Sequence, residues 1–215
     1  MIATYKNMFD YQTYHTNNVN NLRYYCINEC LNLPSVTSIL RNTKNIFQKN
    51  NKITSAMEIG DYMHRYLQNY IMDPSKNTEF IKNNNFLLAE SLAKIVIIEL
   101  VDQFTEIWGS EVSVYYQDLY AGTIDLIGVH NNKITLVDYK SSYKCKDDKD
   151  LHDYFLQCAA YAIAHDWLYQ TNIHCIKIFQ ITRDGEFCTN IAQGRELDNY
   201  KLNWLDRLKL FNDKV

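Results

Sequence analysis

The sequence predicts a single mixed α/β domain built around a small central sheet. Apolar residues make up 47% of the 215-residue chain and aromatic residues 13%, which is enough to bury a core of its own. Apolar residues first recur at helical spacing, then, after Gly109, at the two-residue spacing of strands, and then at both in alternation. Helices followed by three strands, a helix, a strand pair and a final helix are typical of this fold class.

The N-terminal part of the chain has the weakest pattern. Residues 1–33 are polar and rich in Asn without a clear period, so we expect them to be irregular or partly helical. A helix is predicted to follow directly, capped by either Ser35 or Thr37, since each offers a side-chain oxygen to an unpaired N–H. We therefore divide the domain into an N-terminal accessory segment, residues 1–53, and a core, residues 54–215.

Each later element is predicted from its own spacing of apolar residues. Two amphipathic helices come first, and three strands with short turns between them then form an antiparallel meander. A long helix, a strand pair around a tight turn and a terminal helix complete the order. The predicted elements are helices at 55–71 and 86–107, strands at 111–117, 120–129 and 133–140, a helix at 150–170, strands at 173–182 and 187–191, and a helix at 195–211.

Charge, hydropathy and cysteine content narrow the class of protein. The formal net charge is −3, so binding of a polyanion would need a local basic groove or a metal ion rather than overall basicity. The chain has no long uninterrupted apolar run and no targeting pattern at its start, so we expect no membrane partner and a cytoplasmic location, the host cytoplasm if the chain is viral. Its six cysteines form no CxxC pair and are expected to be free thiols.

Two carboxylates and a lysine are predicted to meet at one edge of the sheet. Alternate residues of a strand share a face, so Asp138 and Lys140 project together, while Tyr139 points away and leaves its carbonyl at the same edge. Asp125 lies on the preceding strand and folds back beside them. Like charges this close are costly unless a cation compensates them, and hard oxygen ligands suit Mg²⁺ or Mn²⁺. Such a site supports phosphodiester hydrolysis; the alternative is a solvated ion pair on an exposed strand.

Two helical segments add polar groups to this prediction. Gln157 and Tyr161 are four residues apart, so they share a helix face that can look back at the strand of Asp138. Gly60 and His64 are also four apart, beside the apolar stripe of the first long helix, where a neutral imidazole can bind a metal. Taken alone, each pair has a plainer interpretation: a flanking glutamine beside a core tyrosine, and an internally hydrogen-bonded histidine.

Taken in order, these motifs resemble those of the PD-(D/E)XK nuclease superfamily and its RecB-like exonuclease branch. Within that branch, the pattern is similar to the mitochondrial genome maintenance exonuclease family and its phage relatives. No single motif is specific, but the ordered set across residues 33–210 is. The segments that carry the resemblance are Asp125 with 138–140 for the second and third motifs, Gln157 with Tyr161 for QxxxY, Gly60 with His64 for GxxxH, and the stretches 33–37, Glu111, 138–142 and 204–208.

The resemblance implies a single nuclease domain with an αβββαβ core. It also implies cleavage of DNA that depends on Mg²⁺ or Mn²⁺, usually from single-stranded ends, in replication, recombination or repair. The implied roles are Asp125, Asp138 and Lys140 as catalytic residues; His64, Asp125, Asp138 and the Tyr139 carbonyl as metal ligands; Gln157 and Tyr161 as supports of the scissile phosphate; and Glu111 as an acid of open role.

DNA is the expected partner, with replication or recombination proteins beside it. Ser35 and Thr37 are expected to contact DNA, as are Arg41 and Lys44 of the acid-free basic run 41–52, although a solvated basic helix face is the alternative for that run. We expect no iron–sulfur cluster, because the downstream cysteines are too widely spaced. We expect no nucleotide cofactor, because no GxxxxGK[ST] segment occurs.

Two other functions stay open at this point. The first is a structure-specific or restriction-type endonuclease of the same fold, against which the QxxxY pattern argues. The second is a nucleic-acid-binding module without turnover, which the full set of acids and lysine makes less attractive.

Overall fold

A computed structural model describes residues 4–44, 55–78 and 83–213. Within these ranges, two sheets and five α-helices form one α/β arrangement, which confirms the predicted fold class. The predicted boundary between residues 53 and 54 lies outside the described ranges.

From His15 onward the N-terminal segment forms a sheet, so the prediction of an irregular or partly helical segment is wrong there, whereas residues 6–14 are irregular as predicted. Three antiparallel strands, β2 (His15–Val19), β3 (Leu22–Asn28) and β4 (Leu31–Pro34), form it, and β1 (Thr4–Tyr5) pairs elsewhere. Asn20 and Asn21 have φ values of 51° and 63°, the left-handed conformation that a tight hairpin requires. Because every residue of β2 is exposed, its sequence shows no apolar alternation, and the hairpin escaped a prediction based on apolar spacing.

Three helices follow, and one of them is shorter than predicted. α1 (Val36–Thr43) is capped by Ser35, whose hydroxyl accepts a hydrogen bond from Ser38 N at 3.1 Å. α2 (Ser55–Met72) and α3 (Asn84–Glu99) are the two predicted amphipathic helices. The predicted helix 86–107 extends beyond the end of α3 at Glu99. Leu100, Val101 and Phe104 are buried and continue the helical spacing, but the chain there forms a short 3₁₀ turn.

The remaining elements form the main sheet and the helices that cover it. Their bounds are β5 (Glu106–Tyr116), β6 (Tyr120–His130), β7 (Lys133–Ser142), α4 (Asp148–Tyr169), β8 (Cys175–Thr182), β9 (Phe187–Gln193) and α5 (Arg195–Asn212). The strand order is β1-β5-β6-β7-β8-β9. β7 and β8 are parallel and are joined through α4, whereas β5, β6 and β7 form the predicted antiparallel meander.

Helices cover both faces of the main sheet. One apolar cluster joins α1, α4 and α5 to the sheet around Tyr120, Leu136 and Trp204. The other joins α2 and α3 to the opposite face around Met63 and Val137. Leu136 and Val137 are adjacent on β7 and belong to different clusters. Successive side chains of this strand therefore pack against opposite helical layers.

Two of the six cysteines are joined in a disulfide, so the expectation of six free thiols is wrong for Cys145 and Cys188. Cys188 pairs with Gln180 across β8 and β9. The Gln180 side chain hydrogen-bonds the backbone of Lys146, which brings the loop after β7 against β9. The other four cysteines are free thiols. No helix in the described ranges has the length and apolar character needed to cross a membrane.

Candidate functional site

The candidate site lies where β6 and β7 separate. Their pairing runs from His130 and Lys133 to Leu126 and Val137, after which β7 continues beside β8 while β6 continues beside β5. Asp125 sits at the point of divergence. Its Oδ2 accepts a hydrogen bond from Tyr139 N at 2.7 Å, so the carboxylate satisfies a backbone donor that β6 no longer reaches.

Asp138 and Lys140 share one face of β7, as the strand alternation predicts. The Lys140 ammonium lies 2.7 Å from Oδ1 and 2.6 Å from Oδ2 of Asp138. Gln157 on α4 donates from Nε2 to the same Oδ1 at 2.7 Å. The ammonium also lies 4.8 Å from the ring centroid of Tyr154, one turn before Gln157. Asp138 is therefore held from two sides and buried, with 1% of its surface exposed.

His64 on α2 lies beside the carboxylates of Glu111 and Asp125. Its Nδ1 lies 3.1 Å from Glu111 Oε1 and 3.6 Å from Asp125 Oδ1, and its Nε2 lies 3.3 Å from the Tyr139 carbonyl. Glu111 has a φ of 53° in the middle of β5, a conformation that costs a non-glycine residue on the order of 1 kcal/mol. This backbone strain lies at a residue whose carboxylate contacts His64.

Burial and neighbouring charges act in opposite directions on the pKa values of these groups. Burial raises the pKa of Asp138 to about 6, although the Lys140 ammonium opposes the shift, and burial also raises the pKa of Asp125. Burial alone would lower the pKa of His64, but the carboxylates of Asp125 and Glu111 outweigh it and raise the pKa to about 9. The site therefore gathers more negative charge than an apolar interior tolerates without cations.

One donor set in this site fits a hard divalent cation. His64, Glu111 and Asp125 each offer a ligand atom, and the three atoms lie within 4.8 Å of one another. The two carboxylates are ligands that suit a hard divalent cation such as Mg²⁺ or Mn²⁺, and the imidazole is a third donor of the kind that transition metals accept. The Tyr139 carbonyl borders this donor set. Asp138 precedes Tyr139 and accepts hydrogen bonds from Lys140 and Gln157. Glu111, left without a role by the motif pattern, is thus a member of the donor set.

A cavity of about 990 Å³ opens onto these groups. Its walls come from β2, β3, α1, α2, α4 and the parts of β5, β6 and β7 around the acidic residues. Tyr161 forms part of the wall, with its ring against Gly122: a Cβ at that glycine would lie 2.1 Å from Tyr161 Cε1. Only glycine allows this approach of ring and strand.

The predicted DNA contacts are divided between the cavity and its surroundings. Thr37 lines the cavity, whereas Ser35 is buried as the cap of α1. Arg41 donates to the Asn21 carbonyl and Lys44 pairs with Asp153, and neither lines the cavity. Contact of these residues with DNA stays a prediction, and the rest of the basic run, 45–52, lies outside the described ranges.

Several residues of the cavity were missed by the sequence patterns. Asp61 and Gln68 could have been found, because they share the polar face of α2 with His64 at helical spacing. Arg23 and Tyr25 on β3 could not, because that segment was not predicted to form a sheet.

The mixed sheet that divides around buried acids and a lysine agrees with the predicted α/β fold, and the comparisons with known proteins find proteins named as exonucleases. No protein-family model matches the chain. It is 27% identical to mitochondrial genome maintenance exonuclease 1 of Mus musculus over 201 residues, 85% of this chain and 60% of that protein. The protein of the same name from Xenopus tropicalis is 32% identical over 109 residues, 48% of this chain and 31% of that protein.

One solved structure supports the fold. A crystal structure from Eubacterium rectale named "Putative exonuclease" has a TM-score of 0.51 and 16% identity, covering 78% of this chain and 71% of that one. The chain spans less than two thirds of the curated relatives it matches. The comparisons support the predicted relationship to PD-(D/E)XK-like exonucleases.

Proposed function

We propose that this protein is a metal-dependent DNA exonuclease that hydrolyses phosphodiester bonds from single-stranded ends. The observation that carries the proposal is the convergence of His64, Glu111, Asp125, Asp138 and Lys140 in one cavity where β6 and β7 separate. These residues come from α2, β5, β6 and β7, so their meeting is a property of the whole fold. The names of the curated relatives support exonuclease action on DNA.

Divalent Mg²⁺ or Mn²⁺ would be held by Glu111, Asp125 and His64, with Asp138 and the Tyr139 carbonyl beside them. When bound, such an ion polarises a phosphoryl oxygen and makes a bound water more acidic. The protein's own groups supply positioning and charge around the scissile phosphate.

Lys140 has the clearest role among those groups. Burial alone would lower its pKa, but the Asp138 and Asp125 carboxylates together outweigh burial and raise it, so the ammonium stays charged at neutral pH. A fixed positive charge at this position stabilises the negative charge that develops on the phosphoryl oxygens. Gln157 orients Asp138 through its amide, and we propose that Tyr161, on the same face of α4, borders the bound strand.

The proposal is tested with linear strands labelled separately at either terminus, incubated with Mg²⁺, Mn²⁺ or a chelator. We expect stepwise loss from an end with either ion and none with the chelator. Lys140→Ala and Asp138→Ala should lower the rate at least about 100-fold while the folded protein persists. Lys177→Ala is the matched control, because Lys177 is a buried lysine on the neighbouring strand β8 that does not line the cavity.

Cleavage by Lys140→Ala at the wild-type rate would refute the catalytic assignment. A closed circular single strand separates an exonuclease from an endonuclease, since only an endonuclease cuts it. Calorimetry with Mn²⁺ distinguishes an enzyme from a binding module. A metal-dependent enzyme should bind the ion at the acidic cluster, whereas a binding module that has no metal site should show no binding of Mn²⁺.

A further inference from the structure

We infer that Arg23 on β3 binds a backbone phosphate of the substrate other than the scissile one. The nature of this ligand rests on the proposed function. Arg23 lines the same cavity as the acidic cluster but belongs to the N-terminal sheet, and no sequence motif marks it.

The backbone of Arg23 is fastened to the start of α1. Its N–H donates to Ser38 Oγ at 2.8 Å, and its carbonyl accepts from Ser35 N at 2.8 Å. Ser35 and Ser38 are both buried, so the residue is anchored on a rigid part of the fold. A side chain anchored in this way can present its charge to a ligand with little loss of freedom.

The Arg23 side chain has contacts within the protein, but these contacts do not satisfy all of its hydrogen-bond donors. Its Cζ lies 5.4 Å from the ring centroid of Tyr25, and its Nη2 donates a long hydrogen bond of 3.4 Å to Thr37 Oγ1. Its Nε is buried and has no hydrogen-bond partner in the described part of the chain. No carboxylate in those ranges lies within ion-pair distance of the guanidinium. A buried donor without an acceptor is costly, so the protein's own groups leave the guanidinium incompletely satisfied.

Arg23 lies close enough to the acidic cluster for one strand to touch both. The Tyr25 hydroxyl is 2.9 Å from Thr123 Oγ1, and Thr123 precedes Asp125 by two residues on β6, or about 7 Å along a strand. Lys140, a cation at the acidic end, is already paired with Asp138. The cavity thus contains acids that fit a cation and, on β3, a guanidinium that has no carboxylate partner among the described residues. A planar guanidinium matches phosphate oxygens in a bidentate arrangement, which suits a polymer whose phosphates repeat along the chain.

The test measures binding without turnover. Wild type, Arg23→Gln and Arg23→Lys are titrated with a fluorescent oligothymidylate in the presence of a chelator, over a series of salt concentrations. We expect Arg23→Gln to raise the Kd about tenfold and to reduce the slope of log K against log salt by about 0.7, the value for one phosphate contact on a single strand. Arg23→Lys should fall between the two, since it keeps the charge and loses the fork. Arg195→Gln, an exposed arginine at the start of α5 outside the cavity, should bind within twofold of wild type.

A scan with neutral phosphates assigns the contact. Oligothymidylates that carry one methylphosphonate at successive positions should weaken binding by wild type at a defined phosphate, and Arg23→Gln should lose its sensitivity there. Equal Kd and equal salt slope for Arg23→Gln and wild type, or an unchanged methylphosphonate profile, would overturn the inference. If Arg23→Gln does not fold, as judged by circular dichroism, the same comparison is made with Arg23→Lys. Wild type that cleaves DNA while Arg23 variants bind normally contradicts only this inference, whereas wild type that binds no oligonucleotide contradicts the proposed function as well.

Discussion

Two partly or fully buried histidines occupy very different surroundings in this protein. His64 lies in the cavity beside Glu111 and Asp125, and the two carboxylates raise its pKa to about 9 against the effect of burial. His165 on α4 has no exposed surface, and burial lowers its pKa to about 3. The rings of Phe9, Tyr11 and Tyr169 surround it.

Hydrogen bonds around His165 hold its neutral form. The Thr171 hydroxyl donates to Asp166 Oδ1 at 2.9 Å, so it accepts the Nδ1–H of His165 at 2.8 Å. Nε2 is then left to accept from the Tyr11 hydroxyl at 3.0 Å. Burial disfavours the charged imidazole at both sites, and only the presence of carboxylates reverses the outcome. The neighbours of a buried histidine, rather than burial itself, therefore distinguish a candidate ligand from a structural residue.

Replacing each histidine in turn gives the largest expected difference between the two regions. His64→Gln removes a predicted metal ligand, so we expect cleavage of a labelled strand, measured per folded molecule, to fall about 100-fold. His165→Gln should lower the melting temperature and leave the rate per folded molecule unchanged. Equal losses of cleavage in both variants would contradict the division into a functional and a structural histidine.

The free energy of unfolding is expected to depend on pH through the lowered pKa of His165. Unfolded His165 has an ordinary pKa near 6.5, whereas in the folded protein it is about 3, so the unfolded state binds the proton first. The contribution of neutral His165 is fully present above pH 6.5 and falls by about 1.4 kcal/mol per pH unit as the pH drops towards 3. We therefore expect the free energy of unfolding to lose about 2 kcal/mol from this residue between pH 7.5 and pH 5.

Urea unfolding at pH 7.5 and pH 5 measures this loss in wild type and in His165→Gln. The difference between the two proteins isolates His165 from other titrating groups, including Asp138, whose raised pKa acts in the opposite direction. A variant that loses as much stability as wild type over this range would show that His165 is not the group responsible.

The smallest loss of stability is expected on removal of the Tyr11 hydroxyl, which donates a hydrogen bond to His165 Nε2. Tyr11→Phe leaves Nε2 without its donor, so we expect a loss of about 1 kcal/mol in the free energy of unfolding. Cleavage should be unchanged, because Tyr11 does not line the cavity. Tyr5→Phe, an exposed tyrosine on β1, serves as the control. A change in rate on Tyr11→Phe would indicate that the two regions are coupled.

Local spacing along the chain was enough to predict the meander, the crossover helix and the pairing of Asp138 with Lys140. Alternate residues of a strand share a face whatever lies around them, and residues four apart share a helix face, which placed Gln157 towards Asp138. The N-terminal sheet could not be predicted in this way because its first strand is exposed throughout and carries no apolar alternation. The disulfide between Cys145 and Cys188 depends on the pairing of β8 with β9, which spacing alone does not place beside the loop after β7.

Local sequence patterns identified most elements of the core, their order and the residue types that could perform phosphodiester chemistry. Which of those residues meet depends on the tertiary fold. Tyr25 and Thr123 are 98 residues apart in the chain but share a hydrogen bond, and Glu111 reaches His64 through a strained conformation within its strand. The physical reason is that electrostatic and hydrogen-bonding environments depend on distance in space and on burial, which local periodicity does not encode.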